Sequence, residues 1–301
     1  MLYRNLSSYL KDRYHGSIRK ICIDGGFTCP NRDGTCGVGG CIFCGERGAG
    51  EHISGSSLSI SDQVRSYFGK APKGEGFIAY FQNFTNTYAP VSVLKERYDA
   101  ALIDSRIVAL AVGTRPDCIN EENADLLASY RSKCDVWVEL GLQTANEETA
   151  KRINRGYDNS AFERAVWILS ERQLPIVVHI LIGLPGETFA DTVNTTAYLN
   201  RFRLWGLKIH CLYVMRSTAL EKLYLQGAFR PQSMKEYADA AAYVLSHISP
   251  EIVIHRLTGD CPKGLLVAPE WNTDKNAILR EITRTMEANG WTQGCLYPGG
   301  D

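Results

Sequence analysis

Asn159-Ser160-Ala161-Phe162-Glu163-Arg164-Ala165-Val166-Trp167-Ile168-Leu169-Ser170-Glu171-Arg172 leads almost at once into Pro175-Ile176-Val177-Val178-His179-Ile180-Leu181-Ile182. In the first segment Phe162, Ala165, Val166 and Leu169 recur at helical spacing behind the start signal Asn159-Ser160. The second is apolar without alternation, which suits a strand buried on both faces of a parallel sheet. Working outward, similar runs recur at Ile18–Ile23, Gly76–Gln82, Ile107–Val112, Val136–Leu140 and Leu207–Val214. Between them, Ser59-Ile60-Ser61-Asp62 and Asn120-Glu121-Glu122-Asn123 open helices, and Glu147–Asn154, Thr188–Arg201 and Ser233–Ile248 read as helical. Repeated βα order predicts a parallel sheet with right-handed crossovers. Six such units make an α/β fold, a partial (β/α)6 barrel of the TIM type, active at the C-terminal ends of its strands.

We expect residues 1–250 to form this barrel and residues 251–301 a small C-terminal extension packed on it. That extension holds a strand-like run, Ile252–His255, a helix from about Thr273 to Ala288 and a Gly-rich tail, Gly294–Asp301, expected to fray. A chain of 301 residues can bury roughly three quarters of its unfolded surface. Hydrophobic residues make up 45% and charged residues 22%, an ordinary globular balance. Lys+Arg and Asp+Glu number 33 each, which excludes a bulk polyanion binder and leaves a local basic face open. The sequence has neither an apolar run of membrane-spanning length nor a signal-peptide pattern at Met1-Leu2-Tyr3-Arg4-Asn5-Leu6, so no membrane association is expected. With that N-terminus, ten cysteines point to the reducing cytoplasm, with Cys22, Cys134 and Cys211 as buried thiols.

Three cysteines stand apart. Cys29 lies in Gly26-Phe27-Thr28-Cys29-Pro30-Asn31-Arg32-Asp33-Gly34, and Gly39-Gly40-Cys41-Ile42-Phe43-Cys44 supplies a C-x2-C pair. Iron–sulfur cubanes take thiolate ligands, and a cube held by three of them keeps one iron open for chemistry. A structural zinc usually needs four ligands in paired spacings, and the chain has no second C-x2-C or H-x3-H pair. Inert thiols are the other alternative. Cys36 either replaces Cys29 as a ligand or remains a free thiol.

With these motifs the chain resembles radical SAM enzymes, through Cys29, Cys41, Phe43 and Cys44. It is more closely similar to the YtqA/YhcC-type subfamily, a relative of the Elongator catalytic subunit's radical SAM domain. The matching segments are Ile23–Gly34, Thr85-Asn86-Thr87-Tyr88-Ala89-Pro90, Gly113-Thr114-Arg115-Pro116-Asp117, Glu139-Leu140-Gly141-Leu142-Gln143-Thr144, Gly183-Leu184-Pro185-Gly186-Glu187-Thr188 and His255-Arg256-Leu257-Thr258-Gly259-Asp260. The resemblance implies a [4Fe–4S] cluster on Cys29, Cys41 and Cys44 whose open iron binds S-adenosylmethionine (SAM). Reductive cleavage of SAM then gives a 5′-deoxyadenosyl radical that abstracts hydrogen from the substrate.

Related enzymes place a Gly-Gly-Glu segment at the end of the second strand to meet the methionine amino group. Here Gln82 and Asn83 offer amides instead, with Thr85 and Asn86 as further polar groups, or the segment is a solvated loop. Glu139 is costly to bury without a partner and flanks Gly141 together with Gln143; the choice is a ligand contact or an ion pair inside the barrel. Arg155 resembles the arginine that holds the SAM carboxylate, or is a surface residue after a helix. Gly183 lets the fifth strand's backbone approach the adenine, or marks an ordinary turn. Tyr88 is a candidate cover for the SAM pocket. Substrate candidates on later strand ends are His179, His210, Tyr213, Arg216, His255, Arg256 and Asp260, with His210, Arg256 and Asp260 as the catalytic candidates, against the commoner fate of a satisfied core residue.

The subfamily resemblance implies action on the C5 side chain of tRNA wobble uridine, taking carboxymethylaminomethyl to aminomethyl. Phosphate contacts would come from two basic groups, Arg4, Lys11, Arg13, Arg19 and Lys20, and Arg201, Arg203 and Lys208. An electron donor such as flavodoxin or ferredoxin is the other expected partner. The alternatives are radical chemistry on a small molecule or protein side chain, and a non-catalytic iron–sulfur redox sensor.

Overall fold

Each continuous apolar run becomes a strand of one parallel sheet with helices packed on one of its faces, and parallel neighbours cover both edges of every such strand but β1. A computed structural model of the chain describes residues 2–48, 58–68, 76–262 and 264–299. In chain order these give α1 (Leu6–Tyr14), β1 (Ile18–Ile23), α2 (Ile60–Phe68), β2 (Gly76–Phe81), α3 (Val91–Ala101), β3 (Ile107–Thr114), α4 (Glu121–Ser129) and β4 (Asp135–Gln143). There follow α5 (Glu147–Arg152), α6 (Asn159–Glu171), β5 (Ile176–Ile182), α7 (Phe189–Leu199), β6 (Gly206–Cys211), β7 (Val214–Met215) and α8 (Ala219–Leu225). The chain closes with α9 (Met234–His247), β8 (Val253–Arg256), β9 (Leu266–Ala268) and α10 (Lys275–Ala288).

Seven strands form one sheet in the order β1-β2-β3-β4-β5-β6-β8, every pair parallel. It is the curled half-barrel expected from the sequence, with β8 added beyond the sixth strand. The run Leu207–Val214 splits: β6 stops at Cys211, and β7 pairs antiparallel with β9. The start signal before α6 shifts by one residue, since Asp158 is the N-cap and accepts from Ala161 N. The tail expected to fray is tied down where it is described: Gly294 N and Leu296 N donate to Leu245 O and Ser246 O. Residues 300–301 lie outside the described residues.

The main core lies between the sheet's convex face and the outer helices, with Phe77, Phe81, Leu110, Val138, Val178, Ile209, Leu245 and Ile282 among its members. A second apolar cluster fills the floor of the concave face: Leu6 and Leu10 of α1 meet Ile78, Tyr80, Ala109, Ala111, Trp137, Val177 and Val253. α1 thus plugs the lumen from the N-terminal side, and Tyr9 packs edge-on against Trp205 with ring centroids 5.4 Å apart. The opposite, C-terminal side is where loops can carry chemistry.

Candidate active site

The loop after β1 carries the three cysteines, and backbone bonds hang it on three neighbouring segments. Thr85 N donates to Thr28 O at 3.2 Å, Ile42 N to Ile153 O at 3.1 Å, and Leu220 N to Ile42 O at 2.9 Å. Asn31 is fully buried; its Nδ2 donates to Asn154 O at 2.6 Å and approaches Cys41 Sγ at 3.9 Å. Gly156, at φ +78°, permits this crossing, since a Cβ there would stand 2.7 Å from Asn31 Oδ1. The Arg32 guanidinium donates to Gly45 O at 2.5 Å and Cys44 O at 3.3 Å.

The Cys41 and Cys44 thiols are hydrogen-bonded to each other, which raises Cys41 well above its ordinary range and lowers Cys44. Burial opposes the fall at Cys44, while Arg32 and Arg115 support it. Cys29 is near enough to act on Cys41 electrostatically. Cationic surroundings of this kind favour thiolates, the form that binds iron. No three His, Cys, Asp or Glu side chains among the described residues converge on a point that would hold a single metal ion. A cubane places its thiolates on different irons and does not need that convergence. Phe43 packs into an apolar cluster with Leu184 and Leu212, pinning the loop's far end. Cys36 is exposed and lines an outer cavity of about 530 Å³ with Tyr88, Pro90, Asp117 and Cys118. Tyr88 therefore faces that outer cavity, where its hydroxyl donates to Thr35 Oγ1 at 2.8 Å.

Beside the loop, buried polar atoms are left without partners. Both amide atoms of Asn83, Thr85 Oγ1 and Asn86 Oδ1 are orphaned past the end of β2. Asn86 also serves the fold, its Nδ2 donating to Gly113 O at 2.7 Å and Phe81 O at 3.2 Å. Gln82 is half-buried, and its backbone N lies 3.5 Å from Ile23 O. Gln232 Oε1 is likewise unpartnered and lies beside Gly183, whose φ is +89° and whose Cβ would meet it at 3.0 Å. Gln143 ends β4 in the left-handed region, φ +68°, with its amide over Gly141. Strain of this kind gathers at functional sites. An amino acid ammonium and carboxylate at the Asn83 end, and a purine at the Gly183 end, would satisfy these groups.

Arg155, expected to hold the SAM carboxylate, has another employment. It is 1% exposed. Nη1 donates to Leu142 O and Thr144 O at 2.9 Å, Nε to Tyr157 O at 2.9 Å, and Nη2 to Asn159 Oδ1 at 3.0 Å. Every guanidinium nitrogen is taken by the protein, so Arg155 braces the turn after β4.

Below the mouth, Glu139 is an ion pair inside the barrel. It accepts from Tyr80 Oη at 2.7 Å, Trp137 Nε1 at 3.1 Å, His179 Nε2 at 2.8 Å and the Lys208 ammonium. Burial works to raise its carboxyl, but Lys208, His179 and Lys20 outweigh it and hold Glu139 well below its ordinary range. Burial pulls His179 down to about 4 and takes His210 well below its usual value, with Arg256 adding to the fall at His210. His210 Nε2 and both ring nitrogens of His255 have no partner. At the rim, the nearest carboxylate to Arg256 is Asp260, 3.9 Å away and itself held by Lys275 at 2.7 Å. Arg216 is exposed. Tyr213 packs against Gly259, whose Cβ would meet its ring at 2.8 Å, and lies within electrostatic reach of both Cys44 and Asp260.

The model of the Radical SAM superfamily matches residues 29–199, beginning at Cys29. The chain belongs to the radical SAM superfamily. The Radical_SAM C-terminal domain matches residues 204–288 of this radical SAM protein. YtqA of Bacillus subtilis strain 168 is 35% identical over 298 residues, covering 98% of this chain and 92% of that one. YhcC of Escherichia coli K12 is 34% identical over 282 residues, covering 93% and 91%. Among solved structures, Elp3 of the archaeon Methanocaldococcus infernus superposes with a TM-score of 0.71 at 18% identity, over 92% of this chain and 64% of that one. That likeness speaks to the half-barrel alone. The family fixes the cofactors as a [4Fe–4S] cluster and SAM and makes the protein an enzyme, which removes the redox-sensor alternative.

Two lysines escaped sequence reasoning. Lys20 and Lys208, expected in basic groups that meet phosphates, face the lumen instead: Lys208 is 4% exposed and both approach the Tyr80 ring, at 5.4 and 4.5 Å. The signal was available: each sits at an inward position of a strand, two residues from another polar inward residue, Cys22 or His210.

Proposed function

We propose that this radical SAM enzyme acts on tRNA wobble uridine, converting a carboxymethylaminomethyl group at C5 to aminomethyl. The observation that carries the reading is Arg256. It stands at the open rim with its nearest carboxylate 3.9 Å away and already held by Lys275, leaving a planar fork for a substrate carboxylate. When bound, the cluster and SAM would supply the hydrogen-abstracting radical and take back one electron; the carboxymethyl carbon so oxidised would form a C=N bond to the amine, and water would cleave it to free the aminomethyl product and glyoxylate. Asn83 and Thr85, and Gln232 beside Gly183, hold the two ends of SAM; Phe43 and Asn31 keep the cysteine loop in place. His210 and Tyr213 line the approach and exclude water from the reacting carbon. That carbon is out of reach in a stacked base, so the nucleotide is flipped into the mouth. Of the two basic groups, Lys20 and Lys208 point inward, and exposed Lys11 and Arg203 would meet phosphates. A flavodoxin- or ferredoxin-type donor supplies the electron, and the setting is the cytoplasm. Among the described residues no helix is long and apolar enough to cross a membrane.

A second reading, radical chemistry on a small molecule or protein side chain, is favoured by the balance of 33 basic and 33 acidic residues. Mass spectrometry of tRNA nucleosides from a deletion strain separates the two. Carboxymethylaminomethyluridine should accumulate and its aminomethyl product disappear. A profile identical to wild type removes tRNA as the substrate. In vitro, affinity for tRNA should fall steeply with salt if phosphate contacts are made.

A further inference from the structure

The sheet does not close. β1 and β8 are its two edges, at opposite ends of the strand order, yet curling brings their inward side chains together around Tyr80: Lys20 Nζ of β1 lies 5.4 Å from that ring, Lys208 Nζ lies 4.5 Å from it, and Lys208 pairs in register with Arg256 of β8. The two edge strands thus face each other through like charges. Lys20 is half-buried with its ammonium 5.4 Å from the Tyr80 ring centroid, and Nζ donates no hydrogen bond among the described residues. Lys208, on β6, adds a third cation.

Among the described residues two carboxylates serve this group of cations, and both are committed. Glu139 is bonded by Lys208, His179, Tyr80 and Trp137. Asp260 is held by Lys275 at 2.7 Å. The histidines facing the same space, His179, His210 and His255, are all driven toward the neutral form, burial being the largest cause in each. They contribute ring nitrogens but no counter-charge, and His210 Nε2 and both nitrogens of His255 remain unpartnered. Like cations facing each other in a partly desolvated cleft are costly unless an anion joins them.

We infer that Lys20 and Arg256, facing each other across the unclosed edge of the half-barrel, form a carboxylate-binding subsite that selects substrates ending in an amine-linked carboxylate. Glu139 is the positioning residue: it bonds Lys208 directly and keeps that cation on the floor, while it acts on Lys20 only through space, so that the Lys20 ammonium keeps its donors for the ligand. The subsite explains why an enzyme of balanced total charge concentrates positive charge at its lumen. It rests on the reading of the substituent above and adds Lys20 as the residue that reads its acidic end.

The test uses the cluster-loaded enzyme and two variants, Lys20→Met and Lys20→Arg, each first checked for unchanged iron content and melting temperature. Lys20→Arg keeps the charge and guards against a failure of Lys20→Met to fold. In the first arm, N-methylglycine is titrated by saturation-transfer NMR, with inorganic phosphate as competitor. Wild type should bind N-methylglycine, Lys20→Met about tenfold or more weakly, the scale of one lost charge-assisted contact, and Lys20→Arg within about threefold of wild type. Equal binding by wild type and Lys20→Met, no binding by wild type, or tighter binding of phosphate than of N-methylglycine overturns the subsite. In the second arm, tRNA bearing carboxymethylaminomethyluridine is compared with tRNA bearing its methyl ester. Lys20→Met should raise KM for the acid by about tenfold and leave the ester unchanged. An equal loss on both substrates overturns it. If no tRNA is turned over while the first arm succeeds, the tRNA reading fails and the carboxylate subsite stands.

Discussion

Two guanidinium groups at the mouth of the half-barrel have opposite surroundings. Around Arg155, at the turn after β4, backbone carbonyls and Asn159 engage every guanidinium nitrogen within 3.0 Å, and Glu147 lies 3.5 Å from Nη2. Around Arg256, at the end of β8, the nearest carboxylate is 3.9 Å away and shared with a lysine. Both residues lie in segments that resemble the family's, so motif position alone does not tell support from recognition. Unmet hydrogen-bonding capacity does. The β4–α5 corner is finished without a ligand; the β6–β8 rim and the Asn83 end of β2 are not.

The harshest way to break that comparison is to remove the cluster both regions face. Cys29→Ala, Cys41→Ala and Cys44→Ala should each lose most bound iron and the brown absorbance of anaerobically reconstituted protein, while Cys36→Ala, exposed on the loop, keeps them. Iron retained in Cys29→Ala and lost in Cys36→Ala would reassign the ligands. Next comes the finished corner. Arg155→Ala strands the carbonyls of Leu142, Thr144 and Tyr157 and should cost about 3 kcal/mol or more of stability, read by denaturant unfolding. A fully stable Arg155→Ala with weakened SAM binding would return Arg155 to the ligand.

At the unfinished rim the expected pattern is the reverse. Arg256→Ala should leave stability within about 0.5 kcal/mol of wild type, yet lower kcat/KM for the carboxylate substrate by about tenfold to a hundredfold. Asn83→Ala, which deletes two orphaned atoms, should weaken SAM binding in calorimetry by about 1–3 kcal/mol with no loss of fold stability. Unchanged SAM affinity would move the amino acid end elsewhere.

The smallest effect is a pH dependence within the corner. Burial raises the Glu187 carboxyl to about 7, with Asp191 adding to the rise and a hydrogen bond from Thr144 working against it. Its folded value lies above its unfolded one, so the folded state binds more protons between about 4.5 and 7. Stability should fall as pH rises through that window. Glu187→Gln should flatten the slope; an unchanged slope would assign the titration to another group.

The half-barrel was legible because its strands are continuous apolar runs: Pro175–Ile182 can hardly be other than a buried strand. The eighth strand in chain order, β8, was legible as a strand but not as an edge of the main sheet, since pairing partners are distant in sequence. α1 went unread because only Leu6 and Leu10 of its residues are buried, and what buries them is the lumen floor. Within the site, the cysteines were plain from spacing. The saturation of Arg155 was invisible, because backbone carbonyls have no letter in the sequence. Lys20 and Lys208 were misplaced because a charge in a strand is ordinarily a solvent-facing one, and only curling turned these inward.

The N-terminal segment that plugs the lumen also bears on how this protein avoids its own kind. Asn5 forms a parallel bridge with Ile254, and Ile254 N donates to Arg4 O at 2.8 Å, so the segment lies along the open side of β8. From there α1 crosses beneath the barrel to β4, where Tyr14 Oη donates to Asp135 at 2.6 Å. An uncovered edge strand is a template for pairing with another chain. Trimming the chain past Tyr14 would therefore strip the cover from β8 as well as open the floor, and the first symptom would be self-association through that edge rather than a slower enzyme.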